Sequence, residues 1–225
     1  VFGKAAINEI KAGNLLKMAK QFGFNSDITS DILLPNSKFD YPSSQYQLAE
    51  YASGFNKKTT ISAVHAAYLS YLVANNGKVG PLKTIKKIQS LDDPDQDYSG
   101  LLKGDISLRV AEDTIKQVSR LMRSTVKKGT ARGSFVHMRK NLHKKLEIGA
   151  KTGSITGGFP FGKHEWITVF ARPKAGKKGD KGISVAVLNI NKEKWYVRSG
   201  YIAKKLIEYY YNHLRQEKWT KITQK

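Results

Sequence analysis

Apolar residues recur every three to four positions through the first part of the chain and every second position through much of its last third. Near the start, Ile7, Ile10, Leu15, Leu16, Ala19 and Phe22 have helical spacing, interrupted at Gly13-Asn14. The spacing predicts two short helices with a break between them and a C-terminal cap at Gly23. From Asn25 to Ser44 the chain is rich in Ser, Asp, Asn and Pro and reads as an irregular surface excursion. Thr59 or Thr60 is placed to cap a strong helix whose core-facing stripe is Ile61, Val64, Tyr68, Tyr71 and Leu72, ending at Asn76-Gly77. Stretches 82–88 and 100–104 have β-like or turn character and bracket an acidic loop, Asp92-Asp93-Pro94-Asp95-Gln96-Asp97. Ser107 then reads as the N-cap of a helix carrying Ala111, Ile115, Val118 and Met122 on one face. Glu112 and Asp113 near its start, and Lys127-Lys128-Gly129 at its end, suit the helix macrodipole and a C-cap.

Residues 130–145 are polar and basic and read as a loop with a helical turn. The period then changes. Leu146–Gly153, His164–Arg172 and Ile183–Ile190 read as strands, the last two joined by a Gly- and Lys-rich hairpin loop at 173–182. A final helix begins near Ser199, presents Ile202, Leu206, Tyr209 and Leu214, and runs into a basic tail. Helices, an antiparallel meander and a closing helix predict an α+β fold, an antiparallel β-sheet covered by helices. No internal repeat or clear domain boundary is visible, so residues 1–225 read as belonging to one domain, with a mainly helical part at 1–131 and strands plus closing helix at 146–216.

Composition narrows the function classes. At 225 residues with 40% hydrophobic and 10% aromatic content, the chain has a folded protein's composition, not a disordered one's. A chain this long buries roughly 70% of its unfolded surface, so it needs no covalent staples. It has no Cys, which excludes thiolate chemistry and Cys-based zinc sites. No apolar run reaches membrane-spanning length, and the first residues lack the pattern of a signal peptide. The excess of 39 Lys and Arg over 18 Asp and Glu, a net charge of +21, points to a polyanion partner: nucleic acid, an anionic membrane or a cell-wall polymer. Each basic run, at 83–87, 127–145, 174–181 and 204–225, reads first as a solvated face. His65, His137, His143, His164 and His213 lack metal-ligand spacing, and the acidic loop lacks the glycine and closing Glu of an EF-hand, so no metal is expected. No phosphate-cradling glycine motif is present and no cofactor is expected. Tyr209-Tyr210-Tyr211 reads as packing against the sheet rather than as a base-stacking platform.

Lys151-Thr152-Gly153-Ser154 stands near the end of a predicted strand, just before Gly157-Gly158. There it offers a cation, two hydroxyls and backbone N–H groups to an anionic acyl substrate, and Gly153 lets a substrate backbone come close. Four further stretches keep it company. Val1-Phe2-Gly3-Lys4 through Gln21-Phe22-Gly23-Phe24, Thr60-Ile61-Ser62-Ala63-Val64-His65-Ala66-Ala67-Tyr68 through Ala74-Asn75-Asn76-Gly77-Lys78-Val79, and Val126-Lys127-Lys128-Gly129-Thr130-Ala131 precede it, and Trp166-Ile167-Thr168-Val169-Phe170-Ala171 follows. In this order the segments resemble the C-terminal portion of the penicillin-binding protein transpeptidase domain. Those serine acyltransferases use S-x-x-K, S-x-N and K-T-G motifs.

The resemblance implies a fold, a reaction and roles. Lys151 would stand beside the active serine, the hydroxyls of Thr152 and Ser154 would bind the terminal carboxylate of a D-alanyl-D-alanine stem peptide or a β-lactam, and the Ser154 N–H would be one oxyanion donor. It also implies a location on the outer face of the cytoplasmic membrane (the periplasm), an upstream membrane anchor, and contact with other cell-wall synthesis proteins. The sequence departs from the family at two places: it has no S-x-N, and its sole S-x-x-K is Ser124-Thr125-Val126-Lys127, out of the family's chain order. The expectation is a partial domain whose nucleophile is encoded upstream of Val1, inactive by itself. Alternatives are a carboxypeptidase, a non-catalytic wall scaffold of the same fold, and a basic nucleic-acid-binding protein, the last without a supporting motif.

Overall fold

The computed structural model describes residues 1–85, 92, 108–174, 182–192 and 194–214. By their contacts they form two units, Val1–His65 with Gly77–Ala111, and Ala66–Asn76 with Glu112–Lys225. Most of the acidic loop, the stretches 86–88 and 100–104, Ser107, the center of the predicted 173–182 hairpin loop and the basic tail lie outside the described residues. Among the described residues no helix is long and apolar enough to cross a membrane.

The first unit opens on α1 (Phe2–Ala5), a π-helical turn (Ala6–Ile10) and α2 (Lys11–Gln21). The predicted break exists, but at Lys11, whose φ is 65°, and not at Gly13-Asn14, which α2 runs through. A π-turn shifts the hydrogen-bond register by one residue, so the discontinuity falls where it rejoins the α-helix. Gly23 ends α2 as predicted: with φ of 88° its N–H reaches Lys20 O, and Phe24 N reaches Ala19 O. The excursion from Asn25 is irregular as far as Ser44, which caps α3 (Gln45–Ser53) by accepting from Gln47 N. Gly54, at φ 71°, closes α3. This helix escapes a periodicity reading, though its S-x-x-Q start and glycine end both stand in the sequence.

Helix α4 (Ala63–Ala74) starts later than predicted, and its cap is Ser62, whose Oγ accepts from His65 N. The predicted stripe is also corrected: Val64 and Tyr71 are exposed, whereas His65, Ala66, Tyr68, Ser70, Leu72 and Val73 are buried. The helix is apolar nearly all round, so hydropathy alone gives it no preferred face. His65 is wholly buried beside Phe24; its Nε2 lies 2.8 Å from Phe22 O, and its Nδ1 has no partner. The first unit also holds a short antiparallel pair, β1 (Lys78–Val79) with β2 (Leu108–Arg109).

The second unit carries the sheet. Helix α5 (Glu112–Lys127) buries Ile115 and Met122 of the predicted face together with Ser119 and Val126, whereas Val118 is half-buried and Ala111 lies exposed ahead of the helix. The basic stretch that follows folds as two short helices, α6 (Arg132–Phe135) and α7 (Lys140–Lys145), with Phe135 fully buried. The meander is β3 (Leu146–Gly157), β4 (Gly162–Pro173) and β5 (Ile183–Asn191), paired in the order β3-β4-β5 and antiparallel throughout. Its core joins Leu146, Ile148 and Ala150 of β3, Ile167 and Val169 of β4, and Phe135.

The closing helix α8 (Ser199–Tyr209) and a π-turn (Tyr210–Leu214) begin where predicted but turn a different face inward. Ala203, Ile207 and Tyr211 are buried; Leu206 and Tyr209 are exposed. The small residues explain the rotation. Gly200 lies so close to Ser134 of α6 that a β-carbon there would overlap it, and this contact brings the Gly200–Ala203 side of the helix down onto the core. Of the three tyrosines, Tyr211 packs inward and its hydroxyl donates to Ala171 O at 3.1 Å.

Burial pushes the His65 imidazole below its ordinary pKa of 6.5, since a second proton would place an N–H donor where none of the described residues offers an acceptor. The unfolded chain takes up that proton at about 6.5, the folded chain only at lower pH, so stability is full above this value and falls as pH drops through it. We expect the denaturant midpoint of the intact protein to decline from pH 7 to pH 5. His65→Gln, which retains a donor for Phe22 O, should flatten part of that decline relative to the parent.

Candidate functional site

The Lys151-Thr152-Gly153-Ser154 segment lies in the middle of β3, opposite Thr168, Ile167, Trp166 and Glu165 of β4. Because β3 pairs only with β4 among the described residues, its outer edge is open, and alternate backbone groups along it are available to a peptide. Lys151 and Ser154 are exposed and Thr152 is half-buried. The Lys151 ammonium donates to Thr152 O at 2.5 Å. A β-carbon at Gly153 would meet only Trp166 Cβ at 3.7 Å, an ordinary contact, so nothing within the fold demands glycine there.

Three devices hold this strand in place. Behind β4, Thr168 Oγ1 lies 2.5 Å from Ala66 O and 3.0 Å from Ser70 Oγ, and Ser70 Oγ lies 3.1 Å from Val169 O, which ties α4 to the sheet. Glu147 sits between Arg172 at 3.2 Å and Arg123 at 3.6 Å, joining β3 to β4 and α5. Gly149 allows the Phe170 ring and Met122 to close over β3, and any side chain at that position would overlap the ring.

On the α8 face of the sheet, Thr152 opens into a cleft of about 600 Å³. Thr130 Oγ1 lies 2.6 Å from Thr152 Oγ1 at its edge. Ser134, His137, Arg198 and Lys204 line the remainder, together with Glu165. Glu165 is engaged, accepting from Ser199 N at 2.9 Å and lying 3.5 Å from the Arg198 guanidinium. Thus the structure brings the K-T-G hydroxyl together with Thr130, which the sequence shows inside Gly129-Thr130-Ala131. Arg198 and Lys204 carry no sequence signal of their own. Ser124 is exposed on α5, on the side away from buried Met122 and Val126, and does not join the cleft.

The sequence profile of the penicillin binding protein transpeptidase domain matches residues 1–171. The chain belongs to that family. No curated protein matches the sequence significantly. Among solved structures it is similar to penicillin-binding protein A of Mycobacterium tuberculosis, captured as an imipenem acyl-enzyme, at 20% identity and a TM-score of 0.69 over 91% of this chain and 44% of that one. It is also similar to penicillin-binding protein 2B of Streptococcus pneumoniae strain R6, at 13% identity and a TM-score of 0.61, covering 90% of this chain and 33% of that one. A third similar structure is penicillin-binding protein 3 of Mycobacterium tuberculosis with ampicillin, at 13% identity and a TM-score of 0.62, covering 93% and 46%. The chain therefore spans less than half the length of these transpeptidase-family structures, and at such identities the likeness is one of fold.

Gly149 gives the strand's position a direct test. Gly149→Ala forces the Phe170 ring out of its seat, an overpacking that costs about 1–3 kcal/mol. The expected result is a lower denaturant midpoint with an unchanged slope.

Proposed function

We propose that this chain supplies the carboxylate-recognition part of a peptidoglycan D,D-transpeptidase that works through an acyl-serine. The observation that carries the reading is the Lys151-Thr152-Gly153-Ser154 segment on an open strand edge, with the Thr152 hydroxyl held by Thr130. An extended donor peptide would add to that edge as a further strand, its backbone paired with β3. Gly153, which the fold's own packing does not require, would leave room for the incoming backbone. The hydroxyls of Thr152 and Ser154 would donate hydrogen bonds to the terminal carboxylate of the peptide, and Lys151 would keep positive charge beside the reacting serine. The Ser154 N–H would be one oxyanion donor, stabilizing charge as it develops on the carbonyl oxygen.

The reaction follows from these roles. The serine oxygen attacks the penultimate D-alanine carbonyl, the terminal D-alanine leaves with a proton, and an acyl-serine remains. An amine from a second stem peptide then attacks the ester and restores the hydroxyl; water in its place would give a carboxypeptidase. The nucleophile and its base are assigned to sequence outside these residues, because Ser124, in the sole S-x-x-K, stands apart from the cleft. β-Lactams would enter the same site, as they do in the imipenem acyl-enzyme of the similar penicillin-binding protein A. A peptidoglycan substrate would put the reaction outside the cytoplasmic membrane, where an excess of 21 positive charges would suit anionic wall polymers.

Fluorescent penicillin, read on a denaturing gel, tests this. The full reading frame should label covalently and this chain alone should stay dark. Lys151→Ala in the full frame should slow labeling by roughly 10²-fold, the scale of lost transition-state electrostatics. Thr130→Val, which removes the hydroxyl partner of Thr152, should slow it by roughly tenfold, the worth of one hydrogen bond to a charged ligand's site. A folded full frame that never labels would sink the enzymatic reading and leave a wall scaffold.

A further inference from the structure

Two phenylalanines at the tip of the β3–β4 hairpin take no part in the core. Phe159 is 98% exposed and Phe161 73% exposed, although Phe is among the side chains a fold gains most by burying. Hydrophobic residues scattered singly over a surface are ordinary. These are not single. The connection from β5 to α8 passes the same end of the sheet, with Gly162 of the tip so close to Asn191 O that a β-carbon would overlap it, and that connection leaves Tyr196 83% exposed. Both segments are fixed by contacts of their own. The His164 ring lies against Gly158, where a β-carbon would overlap it, and its Nε2 is 3.0 Å from Pro160 O. Asn189 Nδ2 donates to Val197 O, and the Trp195 ring has Lys163 Nζ 4.2 Å and the Arg198 guanidinium 3.6 Å from its centroid. Positive charge surrounds the exposed rings. Residues 159–165 and 192–198 contain Lys163, Lys192, Lys194 and Arg198 against Glu165 and Glu193, and Glu165 is already engaged by Ser199 N and Arg198.

We infer that the β3–β4 tip, with Tyr196 beside it, is an interfacial anchor that inserts into the surface of an anionic phospholipid bilayer. Shape selects a soft partner: a protruding tip has no walls with which to grip a small ligand, whereas a bilayer closes around what enters it. Rings at the acyl boundary with cations among the headgroups bind such a surface through apolar burial and charge attraction together. Lysine suits the position because its stem lies along apolar groups while its ammonium stays in water. The excess of 21 positive charges over the whole chain draws it to the same surface. Ser154 stands three residues before Gly157, about 10 Å along the strand at its usual rise, so an inserted tip holds the open edge of β3 close to the headgroups.

A probe at the tip reads insertion locally, however the rest of the protein meets the bilayer. The chain has no cysteine, so Phe159→Cys carries a nitrobenzoxadiazole label in the full-length protein, and Leu121→Cys, exposed on α5, carries it in a control. Vesicles of one part phosphatidylglycerol to two parts phosphatidylcholine should raise emission from the label at 159 severalfold and shift it to the blue, leaving the label at 121 unmoved. Pure phosphatidylcholine should lower the insertion constant at least about tenfold. Lys192→Gln combined with Lys194→Gln should do the same, each lysine near the surface contributing about fivefold. Phe161→Ser, at an exposed position, should lower it by a similar factor. No change at 159 with the anionic vesicles overturns the anchor. An equal change at 121 overturns it as indiscriminate adsorption, and an equal response to phosphatidylcholine overturns the role of charge. A change that needs no lipid and grows with protein concentration puts a second copy in the bilayer's place and overturns it too. Penicillin labeling is a separate readout, so the anchor and the transpeptidase reading fail independently.

Discussion

The register between β3 and β4 is the constraint on which the site depends. Side chains alternate along a strand, so a slip of one residue would send Thr152 away from its cleft and drive the Lys151 ammonium toward the apolar side now held by Ile148 and Ala150. Twelve residues of β3 pair with β4, but Lys-Thr-Gly-Ser-Ile-Thr is a weakly hydrophobic stretch that cannot specify its own register. The fixing is done elsewhere: by Ile148 and Ala150 in the core, by Phe170 seated over Gly149, and by Glu147 held between two arginines. The Lys151–Ser154 half of the strand is thereby positioned by its apolar half.

Behind the sheet, the contact of α4 is polar where the helix is not. Ser70 and Thr168 are hydroxyl residues in an otherwise apolar interface, and together with Ala66 O and Val169 O they form a local network with fixed partners. Apolar surfaces slide past one another at little cost, whereas such a network has one satisfied arrangement. Thr168 is the direct partner of Lys151 across the strands, so this anchor acts at the very position where the site needs it.

Strands were the more legible part of the sequence. Each of the three appears within a few residues of its alternating pattern, and β3 runs on past Gly153 because Ile155 and Thr156 still find partners in His164 and Lys163. Helix faces were less legible. Hydropathy turns Leu206 and Tyr209 inward, but close packing is decided by size, and Gly200 and Ala203 win the inner side. At α4 there is no polar face to read at all. The K-T-G segment could be seen directly as a motif, and Thr130 could be quoted without a role until its hydroxyl was found beside that of Thr152. Arg198 and Lys204 were invisible among 39 lysines and arginines, since only packing distinguishes a cation in a cleft from one on a surface.

The open edge of β3 has one more consequence. A strand edge left unpaired is also a template for any other strand, including that of a neighboring molecule. Under the proposed function, covering it with a helix would close the site, and proline would remove the N–H groups with which the peptide would pair. What remains is composition: a charged lysine, then glycines at 153 and 157 flanking Ser154, Ile155 and Thr156, a poor surface for steady pairing between like chains. The residues proposed to admit a substrate would thus also guard against self-association, and replacing them with good strand formers would trade the proposed binding edge for an aggregating one.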